Sequence, residues 1–360
     1  MNYAAAICYF PKITLMRARN LLTRFSDPKI AFYAEFDDLI EVGFNEEVAH
    51  EYITWREKFD VQKITNELAE QDIQAISIFT DEYPTLLKEI NDPPPVLFVR
   101  GKLLNDDKPI ISVVGTRKCT IYGKQITNKI VFDLAKNGIT IVSGLALGID
   151  GIAHQAALEA GGKTLAVLGS GVDRKHVYPS SHQLLGENII KSGGALISEY
   201  PPGFMPTQYS FPARNRIIAG LSLGTLVTEA PLGSGALITT ERCLDYNRDI
   251  FAIPHPITSS QGTGGNNLLK KGATLVTSAE DILNALEITV SLRSSVPIQK
   301  TKPVNTLESK ICEFLAEGPL LTDEIIKKAA LPSGEIMATL TIMEMNGLVQ
   351  NTGGSSYVLL

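Results

Sequence analysis

The chain has 360 residues, 44% of them hydrophobic and 20% charged, which is ordinary globular composition and enough length for two or three domains. A formal net charge of −6 argues against blanket nucleic-acid binding, and no apolar run reaches the ~18–20 residues of a membrane span. Four scattered cysteines (Cys8, Cys119, Cys243, Cys312) offer neither a zinc pair nor a disulfide framework, so a reducing cytoplasm is the expected compartment.

The N-terminus has a short apolar patch without a basic region before it and reads as mature protein. The first hundred residues contain one glycine, Gly43, and repeat apolar residues at helical spacing, as in "ITLMRARNLLTRF" and "NEEVAHEYITWREKF". "FTDEYPTLLKEINDPPPVLFVRG" follows, with three consecutive prolines that force an extended connector. From Lys108 the pattern changes. "PIISVVG", "GITIVSG", "KTLAVLG", "GALISEY", "GTLVTEA", "DIFAIPH" and "ATLVTSA" are short β-branched runs, mostly bounded by glycine and separated by helix-length segments. This alternation predicts an α/β fold with a parallel sheet covered on both faces, whose ligands bind past the carboxyl ends of the strands. Residues 290–305 lack an apolar period and read as a linker. Residues 306–360 give three helix patterns and a hairpin, the order of a small winged-helix module.

Charge and glycine mark the same middle segment. Between Gly101 and Thr289 there are 17 Lys+Arg against 15 Asp+Glu, and 23 of the 29 glycines fall between Gly101 and Gly272. An anion-binding surface therefore belongs in the middle of the chain. Familiar phosphate loops are absent. "GTRKCTIYG" has Arg117 where a dinucleotide turn needs glycine, "GSGVDR" ends on Arg174, and "ALEAGGKT" runs from helix into strand, the wrong way for a P-loop. Ser234 lacks a GxSxG frame, and no metal-ligand spacing links the histidines. His154, four residues after Asp150, reads as a packed histidine beside a helix cap, with a site role as the alternative.

The stretch "SFPARNRIIAGLS" carries most of the remaining chemistry. Pro212 suits a first helical turn, with Phe211 just outside it and Arg214 and Arg216 at the start of the helix. A helix N-terminus with arginines and an exposed ring suits a single strand, phosphates held by charge and bases by stacking, and Asn215 adds donors. The alternative is a core Phe211 with arginines paired to Glu229 or Asp245. Other turns converge on the same edge: Arg117 after the first predicted strand, Ser143 and Gly144 with bare amides after the second, Arg174 and Lys175 after the third, Gly233 and Ser234 after the fifth, and Asn266 and Lys270 in "GTGGNNLLKKG". Together they predict an extended anion groove.

"VVGTRKCTIYGKQ", "SGLALGIDGIAHQAAL", "TLAVLGSGVDRKHVYPSSH", "ISEYPPGFMPTQYSFPARNRIIAGLS", "LVTEAPLGSGALITTERCLDYNRDIFAIP" and "GTGGNNLLKKGA" together resemble the DNA-processing protein A family (DprA, also called Smf), over roughly residues 80–287. The resemblance implies an extended Rossmann-like domain (79–289) flanked by a helical, SAM-like module (1–78) and a C-terminal winged helix (306–360). It implies a cytoplasmic, non-enzymatic protein without cofactor. Such proteins bind and protect incoming single-stranded DNA in natural transformation, load RecA recombinase, and form homodimers through the Rossmann-like domain. It assigns DNA contact to Arg117, Ser143, Gly144, Phe211, Arg214, Arg216 and Asn266. Gln208 departs from the basic residue of some relatives, and the third C-terminal helix pattern, "SGEIMATLTIMEMNG", has no basic residue with which to read DNA. The competing class is a nucleotide-sugar hydrolase of the lysine-decarboxylase-like group. Its catalytic glutamate position is Thr239 here, and Glu241 lies two residues on, on another helix face.

Overall fold

A computed structural model describes residues 1–25, 27–103, 108–288, 306–316, 318–345, 348–353 and 355–359. The chain divides into two compact units, Met1–Val290 and Ser291–Leu360. The linker expected over 290–305 lies outside the described residues.

The first unit is built on a sheet of nine strands among the described residues: β1 (Ile73–Ser77), β2 (Val96–Gly101), β3 (Ile110–Val114), β4 (Thr140–Ser143), β5 (Thr164–Val167), β6 (Ala195–Ser198), β7 (Gly224–Val227), β8 (Asp249–Ala252) and β9 (Thr274–Leu275). Their order is β1-β2-β6-β5-β4-β3-β7-β8-β9. The seven strands from β6 to β9 in that order are mutually parallel and correspond to the seven glycine-bounded runs. Strands β3 to β7 are buried at every position, as continuous β-branched runs between two helical layers must be. The chain leaves β3 in one direction through β4, β5 and β6, then returns to its other side through β7, β8 and β9. That reversal opens a crevice at the carboxyl end of β3.

Two expectations need correction. The segment 1–78 is not wholly helical, because it ends in β1. The proline-rich connector is not a passive link either. Once past its prolines, "VLFVRG" forms β2, paired antiparallel with both β1 and β6. The N-terminal helices do not close a core alone: Ile7, Leu21, Phe32 and Tyr52 share one apolar cluster with Phe98 of β2, Ala166 of β5 and Leu196 of β6.

The second unit has helices Thr306–Ala316, Thr322–Ala329 and Ser333–Met345, and a small antiparallel sheet of β10 (Leu320–Leu321), β11 (Val349–Gly353) and β12 (Ser356–Leu359). Its own core includes Ile311, Ile325, Leu340 and Val349. This is the winged-helix order read from the sequence.

Candidate nucleic-acid interface

Three helix N-termini meet at the crevice beyond β3: those of Ile149–Glu159, Ser210–Gly220 and Gly235–Asp245. With the turns after β3, β4 and β5 they enclose a cleft of about 650 Å³. Its polar and aromatic walls include Arg117, Tyr178, Gln208, Phe211, Asn215 and Ser234.

The helix carrying "FPARNR" begins at Ser210, so Phe211 lies in its first turn rather than before it. Thr207 and Ser210 fix that start: the Thr207 amide donates to Ser210 Oγ (2.9 Å) and the Ser210 amide to Thr207 Oγ1 (3.1 Å). Phe211 is half-buried. Its ring faces Tyr178, with centroids 5.5 Å apart, and the exposed Arg117 guanidinium lies 5.4 Å from its centroid. A cation and two aromatic rings thus share one wall, near helix ends that favour negative charge.

Arg214 sits beneath this wall and is buried. Its Nη1 donates to the carbonyls of Gly144 and Val167, and its Nη2 lies 3.8 Å from Asp150 Oδ2. Asp150 in turn accepts from the amides of Gly144 (3.2 Å) and Ala146 (3.4 Å). Burial pushes the Asp150 carboxyl up and lowers Arg214 to about 10, each opposed by the charge of the other. Arg214 therefore braces the ends of β4 and β5 against the helix. Arg216 points elsewhere, to Glu199 Oε2 at 2.5 Å and Asp92 Oδ2 at 3.6 Å. Neither arginine uses the alternative partners considered above. Glu229 instead holds Thr120, the N-cap of the helix Ile121–Lys136, by accepting from its amide and hydroxyl (2.8 Å each), and Asp245 pairs with Arg242.

Of the residues assigned to the extended groove, Arg117, Phe211, Arg214, Asn215 and Ser234 line this cleft, and the others lie outside it. Ser143 is buried and its hydroxyl donates to the Val113 carbonyl (2.6 Å), while the Gly144 amide is taken by Asp150 and so is not bare. Ser234 caps the helix Gly235–Asp245 at the cleft edge, whereas Gly233, at φ 75°, shapes the turn before it. Asn215 Nδ2 donates to the Gly235 carbonyl (3.3 Å). Arg174 and Lys175 line a different concavity with Arg100, Glu67 and Glu70. Asn266 clamps the backbone of His255 through two 3.0 Å hydrogen bonds, and Lys270 is exposed at the end of its helix. Sequence reasoning missed Thr207 and the brace role of Asp150, whose partners come from distant elements.

His154 is a buried structural group. Thr164 Oγ1 donates to the Ile141 carbonyl (2.8 Å), so it accepts from His154 Nδ1–H (2.7 Å). Burial lowers its pKa to about 3.

Comparison with known proteins places this site in context. Residues 74–287 match the family described as DNA recombination-mediator protein A, and residues 297–355 match the DprA winged helix domain. The chain is 36% identical over 352 residues to Protein Smf of Synechocystis, covering 88% of this chain and 87% of that one. It is 45% identical over 217 residues to the DNA processing protein DprA of Streptococcus pneumoniae, covering 60% of this chain and 76% of that one. Among solved structures, DprA from S. pneumoniae aligns with TM-score 0.67 at 37% identity, over 79% of this chain and 97% of that one. DNA processing protein A from Helicobacter pylori, described for its single-stranded DNA binding mode, aligns with TM-score 0.53 at 33% identity, over 60% of this chain and 95% of that one.

Proposed function

This chain belongs to the DNA recombination-mediator protein A family, and from that premise we propose that it binds single-stranded DNA in the cleft beyond β3. The observation that carries the reading is the wall made by Arg117, Phe211 and Tyr178 beside three helix N-termini. A strand entering the cleft gives a phosphate to Arg117 and stacks a base on Phe211. Each stacked base contributes ~1–3 kcal/mol. Asn215, Gln208 and Ser234 line the same space and contact backbone or base edges. Arg214 acts from beneath by holding the loops in place. Duplex DNA binds more weakly, because its bases are already paired and stacked.

The bound strand is DNA entering recombination, protected and passed to a RecA-type recombinase in the cytoplasm during natural transformation, with the protein acting as a homodimer. The match to a DNA recombination-mediator family and to an H. pylori relative described for its single-stranded DNA binding mode supports the recombination and single-strand parts of this reading. The hydrolase alternative is disfavoured by Thr239, which lines the cleft where that chemistry requires a carboxylate.

Fluorescence anisotropy with a labelled oligothymidine of ~20 nucleotides tests the proposal, a length chosen to exceed one binding module. Tight binding by the full chain that is lost in Arg117→Ala supports it. Binding unchanged by that substitution removes the cleft as the site.

A further inference from the structure

The helix Ser210–Gly220 has a second cavity on its other side. Phe211, Arg214, Asn215 and Ile218 face the cleft, whereas Ala213 and Arg216 line an open pocket of about 470 Å³ against the N-terminal module. Its walls are flat and apolar, from Tyr9, Phe10, Pro11 and Pro202 to the stacked pair Tyr200–Phe204, whose rings lie 4.2 Å apart at 9°. Its volume falls within the ~300–1,000 Å³ of small-ligand sites.

Two charged side chains, each more than nine-tenths buried, form its polar wall. Arg216 Nη2 donates to Glu199 Oε2 at 2.5 Å. That leaves Glu199 Oε1 and Arg216 Nη1 without a hydrogen-bond partner in the protein. Buried polar atoms rarely stay unpaired, since each costs ~1–3 kcal/mol. One is an acceptor and one a donor, and they belong to a directly bonded pair. The group that satisfies both carries a donor beside an acceptor, and flat apolar walls favour a planar ring.

We propose that this cavity binds a nucleobase-type planar heterocycle, its donor–acceptor edge on Glu199 and Arg216 and its ring between the aromatic and proline walls. The ligand edge gives an N–H to the carboxylate and takes one from the guanidinium. The same chemistry is offered by a free nucleoside and by a base of a bound strand. Either one touches the back of the helix that forms the cleft.

Calorimetric titration of the full chain with adenosine, guanosine, cytidine and thymidine tests the assignment. At least one nucleoside should bind with a Kd below about 1 mM, the weak end of specific affinity. Glu199→Gln keeps the shape and removes the charged acceptor. Ala213→Leu fills the cavity without touching the pair. Both should weaken binding at least tenfold while Arg117→Ala leaves it unchanged. Ala213→Leu also covers the case in which Glu199→Gln fails to fold. Competition with oligothymidine then separates the sources: displacement of the nucleoside assigns the cavity to a strand base, and simultaneous binding assigns it to a free nucleoside. No nucleoside binding at that concentration overturns the proposal, even where oligothymidine binds tightly. So does nucleoside binding that survives both cavity substitutions, which would leave water as the partner of the two atoms.

Discussion

Phe211 and Arg117 form a contact that a bound strand must rearrange. The guanidinium lies over the ring that a base would stack on. Removing the ring should therefore cost the base and leave the phosphate contact. Phe211→Ala is expected to weaken oligothymidine binding by ~5- to 150-fold, the range that one stacked base supplies, and anisotropy reads it directly. His154 belongs to stability instead. Its folded pKa of about 3 lies below the ordinary 6.5, so below pH 6.5 the unfolded chain takes up a proton that the native state refuses. Stability contributed by neutral His154 is present above pH 6.5 and falls by about 1.4 kcal/mol per pH unit down to about 3. His154→Gln should flatten the decline between pH 6.5 and 4.5. Urea unfolding followed by the single tryptophan, Trp55, measures it in the first unit. The residue types at the site were legible because glycine turns and the "FPARNR" run concentrate there. Their division of labour was not. Whether an arginine meets solvent or an acid depends on Asp150, Glu199 and Asp92, which lie far from it in the chain.

At the scale of elements, the cleft depends on how closely the turn after β4 approaches the helix Ser210–Gly220. Gly144 permits that approach, since a Cβ there would run into the Arg214 guanidinium. The guanidinium is held by two carbonyls and Asp150 and has no free room to yield. Gly144→Ala should cost at least ~2 kcal/mol by overpacking and reduce oligothymidine affinity with it. Gly43→Ala, at φ 99° with open space around it, should cost only the backbone strain, ~1 kcal/mol, and leave affinity unchanged. Thermal melts and anisotropy on both variants separate the two effects. The seven parallel strands were legible because each is a short β-branched run, and five of them, β3 to β7, are buried at every position. The other two were hidden for different reasons. β1 lies at the end of a helical pattern, and β2 follows prolines that announce a loop.

At the scale of the whole molecule, the C-terminal module is acidic. Residues 306–360 carry three Lys+Arg against seven Asp+Glu, and the helix Ser333–Met345 has no basic side chain. A chain ending at residue 290, the close of the first compact unit, should keep its affinity for oligothymidine within about threefold of the full chain, a difference below 1 kcal/mol. A larger loss in anisotropy would assign DNA contacts to the second unit. Affinity should also fall with salt, by a log–log slope of about −0.7 for each phosphate neutralised. A slope near zero would remove the phosphate contacts.

The antiparallel pair β1–β2 has a consequence for how the protein is made. The N-terminal helices complete their core only with Leu196 of β6, and β2 pairs with that same strand. β6 leaves the ribosome about a hundred residues after β2, some 5–20 s later at ordinary synthesis rates. For that interval the nascent N-terminal segment displays an unfilled apolar face and one open edge of β2. Chaperones that hold emerging chains are therefore expected to engage this protein early, before the cleft beyond β3 exists, and to release it once β6 has been translated.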